Sequence, residues 1–221
     1  MADAKRSDMQ ASDPTSKPLP NQMQPSEAIS PEVYPPQSHH QPVTSRVLHL
    51  HHDGSPFSKS KTVYDVDEKI PLYAIDLHRF EKPQIVIRSA ATSKTIGEVT
   101  FTMLPRKVTI AMQGVSFELK SRGMFKSGYT YTSPAAQSKM LTWEKESLGS
   151  ADLVCTDDKG LAVARLDVSM FSRSKRAKLE LVGATDGPLM EELLVTAFAY
   201  SELRRRRRNS SSGGAGGAAG V

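Results

Sequence analysis

Residues 188–214 read PLMEELLVTAFAYSELRRRRRNSSSGG, with nine uncharged residues from Leu193 to Ser201 running up to Arg204 to Arg208. A membrane-spanning helix needs about 20 mostly apolar residues. The stretch from Leu189 to Leu203 reaches only about 22 Å at 1.5 Å per residue, and it contains three glutamates. A helix lying on a lipid surface needs one polar face and one apolar face. At 100° per residue, Leu193, Leu194, Val195, Ala197, Phe198, Ala199 and Tyr200 cover nearly the whole circumference, interrupted only by Thr196. A helix that is apolar all round is one surrounded by protein. The stretch therefore predicts a buried helix over about residues 188–204.

Both helix ends are legible. Pro188 suits the first helical position, where its missing N–H costs nothing, and Asp186-Gly187 supplies the entry turn. Glu191 and Glu192 complement the positive end of the helix dipole, and the arginines complement the negative end. Five consecutive arginines exceed what a cap requires.

Upstream, hydrophobicity has period two. The segments 47–52, 71–80, 83–90, 94–104, 107–114, 115–122, 128–133, 138–146, 151–158, 161–171 and 177–183 alternate or carry β-branched runs, and turn residues such as Gly114, Gly128, Gly149 and Gly160 separate them. About eleven short strands at this spacing predict an all-β sandwich or an antiparallel barrel of about ten to twelve strands. Closing the sheet removes its edges, but the interior is then too wide for strand side chains to fill alone. The apolar C-terminal helix is the natural plug. The expected fold is mainly β, a barrel enclosing a hydrophobic C-terminal helix.

The domain boundaries follow from composition. Residues 1–44 hold eight of the fourteen prolines and few apolar side chains, so a disordered Pro/Ser/Gln-rich tail is expected, followed by the barrel over 45–208. Residues 209–221, rich in Ser, Gly and Ala, read as a second disordered tail. Residues 45–203 carry twenty-one Lys/Arg against nineteen Asp/Glu, so the net charge of +5 reflects a near-neutral domain with a basic tag. Cys155 is the sole cysteine, which excludes an internal disulfide and a Cys-based zinc site and fits a reducing compartment. The start, MADAKRSDMQASDP, lacks the apolar core of a signal peptide. An intracellular protein is expected, cytoplasmic or membrane-peripheral and not transmembrane, with the nucleus as an alternative.

A hydrophobic C-terminal helix threaded through an antiparallel barrel resembles the tubby C-terminal-like superfamily: tubby-like proteins, phospholipid scramblases and LURP-one-related proteins. The likeness is closest to small LURP-one-like proteins of fungal type. It is carried by PLYAI, KTIGEV, the Trp in LTWEKES, LVCTDDKGLAVARLD, KLELVG and ELLVTAFAYSELRRRRR, between about Val47 and Arg208. The order and spacing of these pieces carry it. The resemblance implies the barrel and, from tubby-like domains, phosphoinositide binding through a basic pocket whose residues have no one-to-one counterpart in this chain. The calcium-binding acidic segment of scramblases is matched only by Asp186, Glu191 and Glu192 in TDGPLMEE. Neither scrambling nor calcium binding carries over.

Three basic clusters are candidate binding sites: Lys120, Arg122 and Lys126; Arg173, Lys175, Arg176 and Lys178; and Arg204, Arg205, Arg206, Arg207 and Arg208. Each Lys or Arg near an anionic leaflet can contribute about 1 kcal/mol. If the second and third clusters face the same way, they would recruit the protein to acidic phospholipid or phosphoinositide. A basic run of this length also reads as a nuclear address or nucleic-acid patch. The near-neutral domain and the lack of a nucleic-acid-binding motif rank nucleic acid below lipid. A protein partner of unknown identity is the remaining class.

Ser210, Ser211 and Ser212 follow the basic block in a setting that suits basophilic kinases. Each phosphate would add about −1.5 to −2 charges, making an electrostatic switch. Five of the six histidines precede Gly54; His49 and His51 share one strand face and read as a surface ladder rather than a metal site. Trp143 and Cys155 read as core. No nucleophile–base arrangement stands out, so the expectation is a non-enzymatic monomer without cofactor or metal that binds lipid or protein.

Overall fold

In the computed structural model, the described residues are 45–52, 60–102, 107–123, 127–147, 149–168, 177–183 and 187–212. Among them are twelve strands: β1 (Ser45–His52), β2 (Ser60–Tyr64), β3 (Pro71–Leu77), β4 (Ile85–Ser89), β5 (Thr95–Thr102) and β6 (Lys107–Met112) in the first half. The second half comprises β7 (Val115–Ser121), β8 (Tyr129–Thr132), β9 (Met140–Lys145), β10 (Leu153–Thr156), β11 (Ala162–Val168) and β12 (Ala177–Val182), followed by α1 (Pro188–Ser212). Each strand pairs antiparallel with its sequence neighbour, and β1 pairs with β12 to close the barrel.

Alternation decides which side chains fill the interior. Leu48 and Leu50 of β1, Tyr73 and Ile75 of β3, Val108 and Ile110 of β6, Leu179 and Leu181 of β12 all point inward and are buried. The strand absent from the sequence reading is β2, SKTVY. Only Val63 within it is buried, so it offers no apolar alternation to detect.

The helix fills what the strands leave. Every residue from Glu192 to Tyr200 is buried, on all faces. Its contacts come from around the barrel: β2 through Lys61, β5 through Gly97, β8 through Tyr131 and β9 through Trp143. Elementary geometry explains the strand number. A sheet packs about 10 Å from a helix axis, giving a circumference of about 63 Å, and strands about 4.8 Å apart tilted by about 40° each occupy about 6 Å of it. Roughly ten strands follow, and side chains as large as Trp143 and Tyr129 widen the ring.

Two features fit the helix to its sheath. A Cβ built on Gly97 would lie 2.8 Å from Cγ2 of Val195, so glycine permits the helix to approach β5. Thr196, the lone polar residue of the apolar stretch, accepts the indole N–H of Trp143 at 2.9 Å and donates to the Leu193 carbonyl at 3.2 Å.

The helix is longer than expected. It runs to Ser212 rather than to about residue 204, so residues 209–212 continue it instead of opening the tail. The remaining tail, 213–221, and the expected N-terminal tail, 1–44, lie outside the described residues.

Candidate functional site

The antiparallel path gives the barrel two different mouths. The helix enters at the mouth where β2–β3, β4–β5, β6–β7, β8–β9 and β10–β11 are joined, and leaves where β3 passes to β4, β7 to β8 and β9 to β10. At the entry mouth Glu191 accepts the Gln113 amide at 2.8 Å and the Tyr73 hydroxyl at 3.3 Å. Glu192, buried, accepts the Ala135 backbone N–H at 2.9 Å. These two glutamates are therefore more than dipole partners; they tie the first turn to three hairpins. Asp65, Asp67, Glu68, Asp157 and Asp158 lie in the β2–β3 and β10–β11 turns of the same mouth.

The exit mouth is basic. Its centre is Glu202, whose side chain is 5 % exposed. Arg205 donates to it through two nitrogens, each at 2.7 Å, and Arg206 adds a third bond at 2.9 Å. Burial pushes the Glu202 pKa up, but the bonds from Arg205 and Arg206 outweigh it and the net direction is down. Arg206 also donates to the His78 carbonyl at 3.0 Å and lies 4.7 Å over the Phe101 ring. Arg204 donates to the Ala151 carbonyl at 2.9 Å, and Arg207 lies 5.3 Å over the Tyr129 ring with a hydrogen bond to its hydroxyl. Arg208 is exposed.

The arginine run thus divides. Arg204, Arg206 and Arg207 staple the helix to the rim, a role beyond that of helix-end dipole partners. Arg205 holds Glu202 yet leaves 55 % of its side chain exposed. Lys61 joins this group from β2, its ammonium 5.4 Å over the Phe198 ring. Burial lowers the Lys61 pKa, against the opposing pull of Glu202.

Of the other basic candidates, Lys120, Arg122 and Lys178 fall at the same end. Lys178 is exposed near the start of β12, opposite Asp167 of β11 and His49 of β1. Arg173, Lys175 and Arg176 lie outside the described residues. Lys120 and Arg122 are exposed where β7 reaches this mouth, with Arg122 paired to Glu144 at 2.7 Å. Lys126 lies outside the described residues. Ser210 to Ser212 form the last turn of α1. The neutralising role of Glu202 was legible in principle from its i,i+3 and i,i+4 spacing to Arg205 and Arg206; Lys61 gave no such signal.

Trp143 and Cys155 are fully buried, and burial pushes the Cys155 thiol well up, away from nucleophilic readiness. His49 and His51 stand on the outer face of β1, each with a ring nitrogen 3.1 Å from a Glu68 carboxylate oxygen. Neither nitrogen has an aligned hydrogen bond, so these are close contacts rather than well-formed bonds. Among the described residues no group of three or more His, Cys, Asp or Glu side chains is placed to hold a metal ion. Among them, too, no helix is long and apolar enough to cross a membrane.

No curated protein and no solved structure matches the chain. Residues 56–207, which take in eleven of the twelve strands and the helix through Arg207, match the model of a family of unknown function, DUF6593. The chain belongs to that family.

Proposed function

We propose that the barrel is a non-enzymatic, membrane-peripheral module that docks its exit mouth on acidic phospholipid. The observation that carries this reading is the charge asymmetry of the two mouths. Arg205 and Arg208 remain exposed at the exit mouth after the other arginines have met the rim, and exposed Arg79, Lys82, Lys120, Lys145 and Lys178 lie on strand ends or turns beside them. The entry mouth is mixed: exposed Lys69, Lys94, Lys139 and Lys159 stand among Asp65, Asp67, Glu68, Asp157, Asp158 and Glu191. An anionic surface attracts the exit mouth far more than this mixed one, so the molecule is oriented as well as recruited. An intracellular location belongs to this proposal. So does the likeness to the tubby C-terminal-like architecture, which a twelve-stranded barrel closed around a C-terminal helix supports.

Flotation of the full-length protein with vesicles tests the reading. Binding should appear on vesicles of equal parts phosphatidylcholine and phosphatidylserine, be absent on phosphatidylcholine alone, and weaken as salt rises, because exposed charges are screened over about 10 Å at 0.1 M. The triple change Arg79→Gln, Lys82→Gln and Arg208→Gln should reduce it while leaving the melting temperature in place. If the protein ignores both vesicle types yet binds duplex DNA in a salt-dependent way, the nucleic-acid alternative replaces this one.

A further inference from the structure

The β3–β4 connection, His78–Gln84, carries the most exposed large hydrophobic side chain among the described residues: Phe80, at 86 %. Single exposed apolar residues are common on protein surfaces and require no explanation by themselves. Three observations set this one apart. The loop beneath it is fixed: the His78 N–H donates to the Gln84 carbonyl at 2.8 Å, the Gln84 N–H to the Val99 carbonyl at 2.9 Å, and the Phe101 N–H to the buried Gln84 side chain at 2.9 Å. The loop is also tied to the arginine run, since Arg206 donates to the His78 carbonyl. Finally, Phe80 is flanked by cations: exposed Arg79, whose guanidinium lies 5.3 Å from the ring, and exposed Lys82. Glu81 is the one acidic side chain in the loop, and it faces His78 at 3.7 Å.

A firmly based loop that holds an aromatic ring in water, between basic residues and on the basic mouth, has the chemistry of an interfacial anchor. The other exposed apolar turn residues, Val66, Ile70 and Leu161, sit at the entry mouth, where Asp65, Asp67, Glu68, Asp157 and Asp158 outnumber the neighbouring Lys69 and Lys159, whereas Phe80 stands at the mouth that holds the arginine run. Charge therefore selects Phe80.

We propose that Phe80 inserts into the headgroup–acyl boundary of an acidic bilayer while Arg79, Lys82 and the helix-end arginines engage the headgroups. This rests on the lipid-docking reading above and adds a residue, a depth and an orientation to it. Aromatic side chains favour this boundary. Moving a phenylalanine out of water strengthens binding by about tenfold or more.

The test uses full-length Phe80→Trp with the phosphatidylcholine–phosphatidylserine vesicles, some carrying bromine on the acyl chains of the phosphatidylcholine. Trp143, enclosed in the barrel, serves as the unresponsive internal reference. The new indole should shift its emission to the blue on binding and be quenched by the brominated lipid. Phe80→Ser should float about tenfold less well with an unchanged melt, and Phe80→Leu should retain most of the binding. If the wild type floats but the new indole is neither shifted nor quenched, insertion is overturned and lipid docking stands. If Phe80→Ser loses retention on heparin as much as flotation, the loop acts through charge placement, which also overturns insertion. If the wild type fails to float, the docking reading falls and takes this inference with it.

Discussion

The indole N–H of Trp143 on β9 donates across 2.9 Å to the hydroxyl of Thr196, at the centre of the helix it surrounds. The Tyr131 hydroxyl lies 3.5 Å from the same oxygen. One polar residue on an otherwise apolar plug thus meets the polar edges of two strand aromatics and fixes how the helix is rotated and how deep it sits.

Thr196→Val keeps the shape and removes the acceptor, leaving a buried indole N–H unsatisfied. The expected loss is about 1–3 kcal/mol, with Thr196→Ser close to wild type. Urea denaturation curves of the three proteins measure it; equal midpoints for Thr196→Val and wild type would show that the bond does not support the fold.

Gly97→Ala places a methyl 2.8 Å from Cγ2 of Val195. Overpacking of this kind costs about 1–3 kcal/mol. Combining it with Val195→Ala should recover part of the loss, with a coupling of about 0.5–3 kcal/mol in a double-mutant cycle. Additive losses would mean that the helix shifts freely past β5.

The helix should be indispensable for folding. Residues 45–187 alone should show no cooperative melt, because the loss exceeds the void behind any single Leu→Ala change, itself worth about 2–5 kcal/mol. Within the full chain, Leu194→Asp should unfold the protein. Phe198→Asp should be milder, since the Lys61 ammonium already stands 5.4 Å from that ring and offers the new carboxylate a partner. A cooperative melt from residues 45–187 would refute the plug.

Arg205→Gln together with Arg206→Gln should destabilise the protein by about 2 kcal/mol at neutral pH, because Glu202 stays charged in a mouth that leaves its side chain 5 % exposed. The pH dependence has a definite sign. The folded Glu202 pKa lies below its ordinary value of 4.5, so its contribution is present above that value and is lost as pH falls through the folded one. The gap between wild type and variant should therefore close in acid. A gap that persists after the carboxylates are protonated would place the effect in packing, for example of Arg206 on Phe101.

Much of the fold was legible in the chain because its signals are short-range. Period-two alternation in KVTIAM and AKLELV marks strands, and an apolar surface on every side of LLVTAFAY demands an enclosure. β2 escaped because one buried residue in five gives no period. The site was legible in composition and in the spacing of Glu202 to Arg205 and Arg206, and no further. Arg204 to Arg208 announce a basic feature, but nothing local says that Arg206 will reach the carbonyl of His78, 128 positions away, or that Arg204 will cap the rim at Ala151.

The sequence by itself determined the barrel, its plug and the presence of excess basic charge, since each depends on side-chain chemistry repeated along a few neighbouring residues. Only the tertiary structure decided which arginines are held by the rim and which face solvent, and that Lys61 and Phe80 belong to the same mouth. Strand register and closure bring residues from separate hairpins to one end of the barrel, and that convergence depends on pairing across the whole sheet, which no single segment encodes.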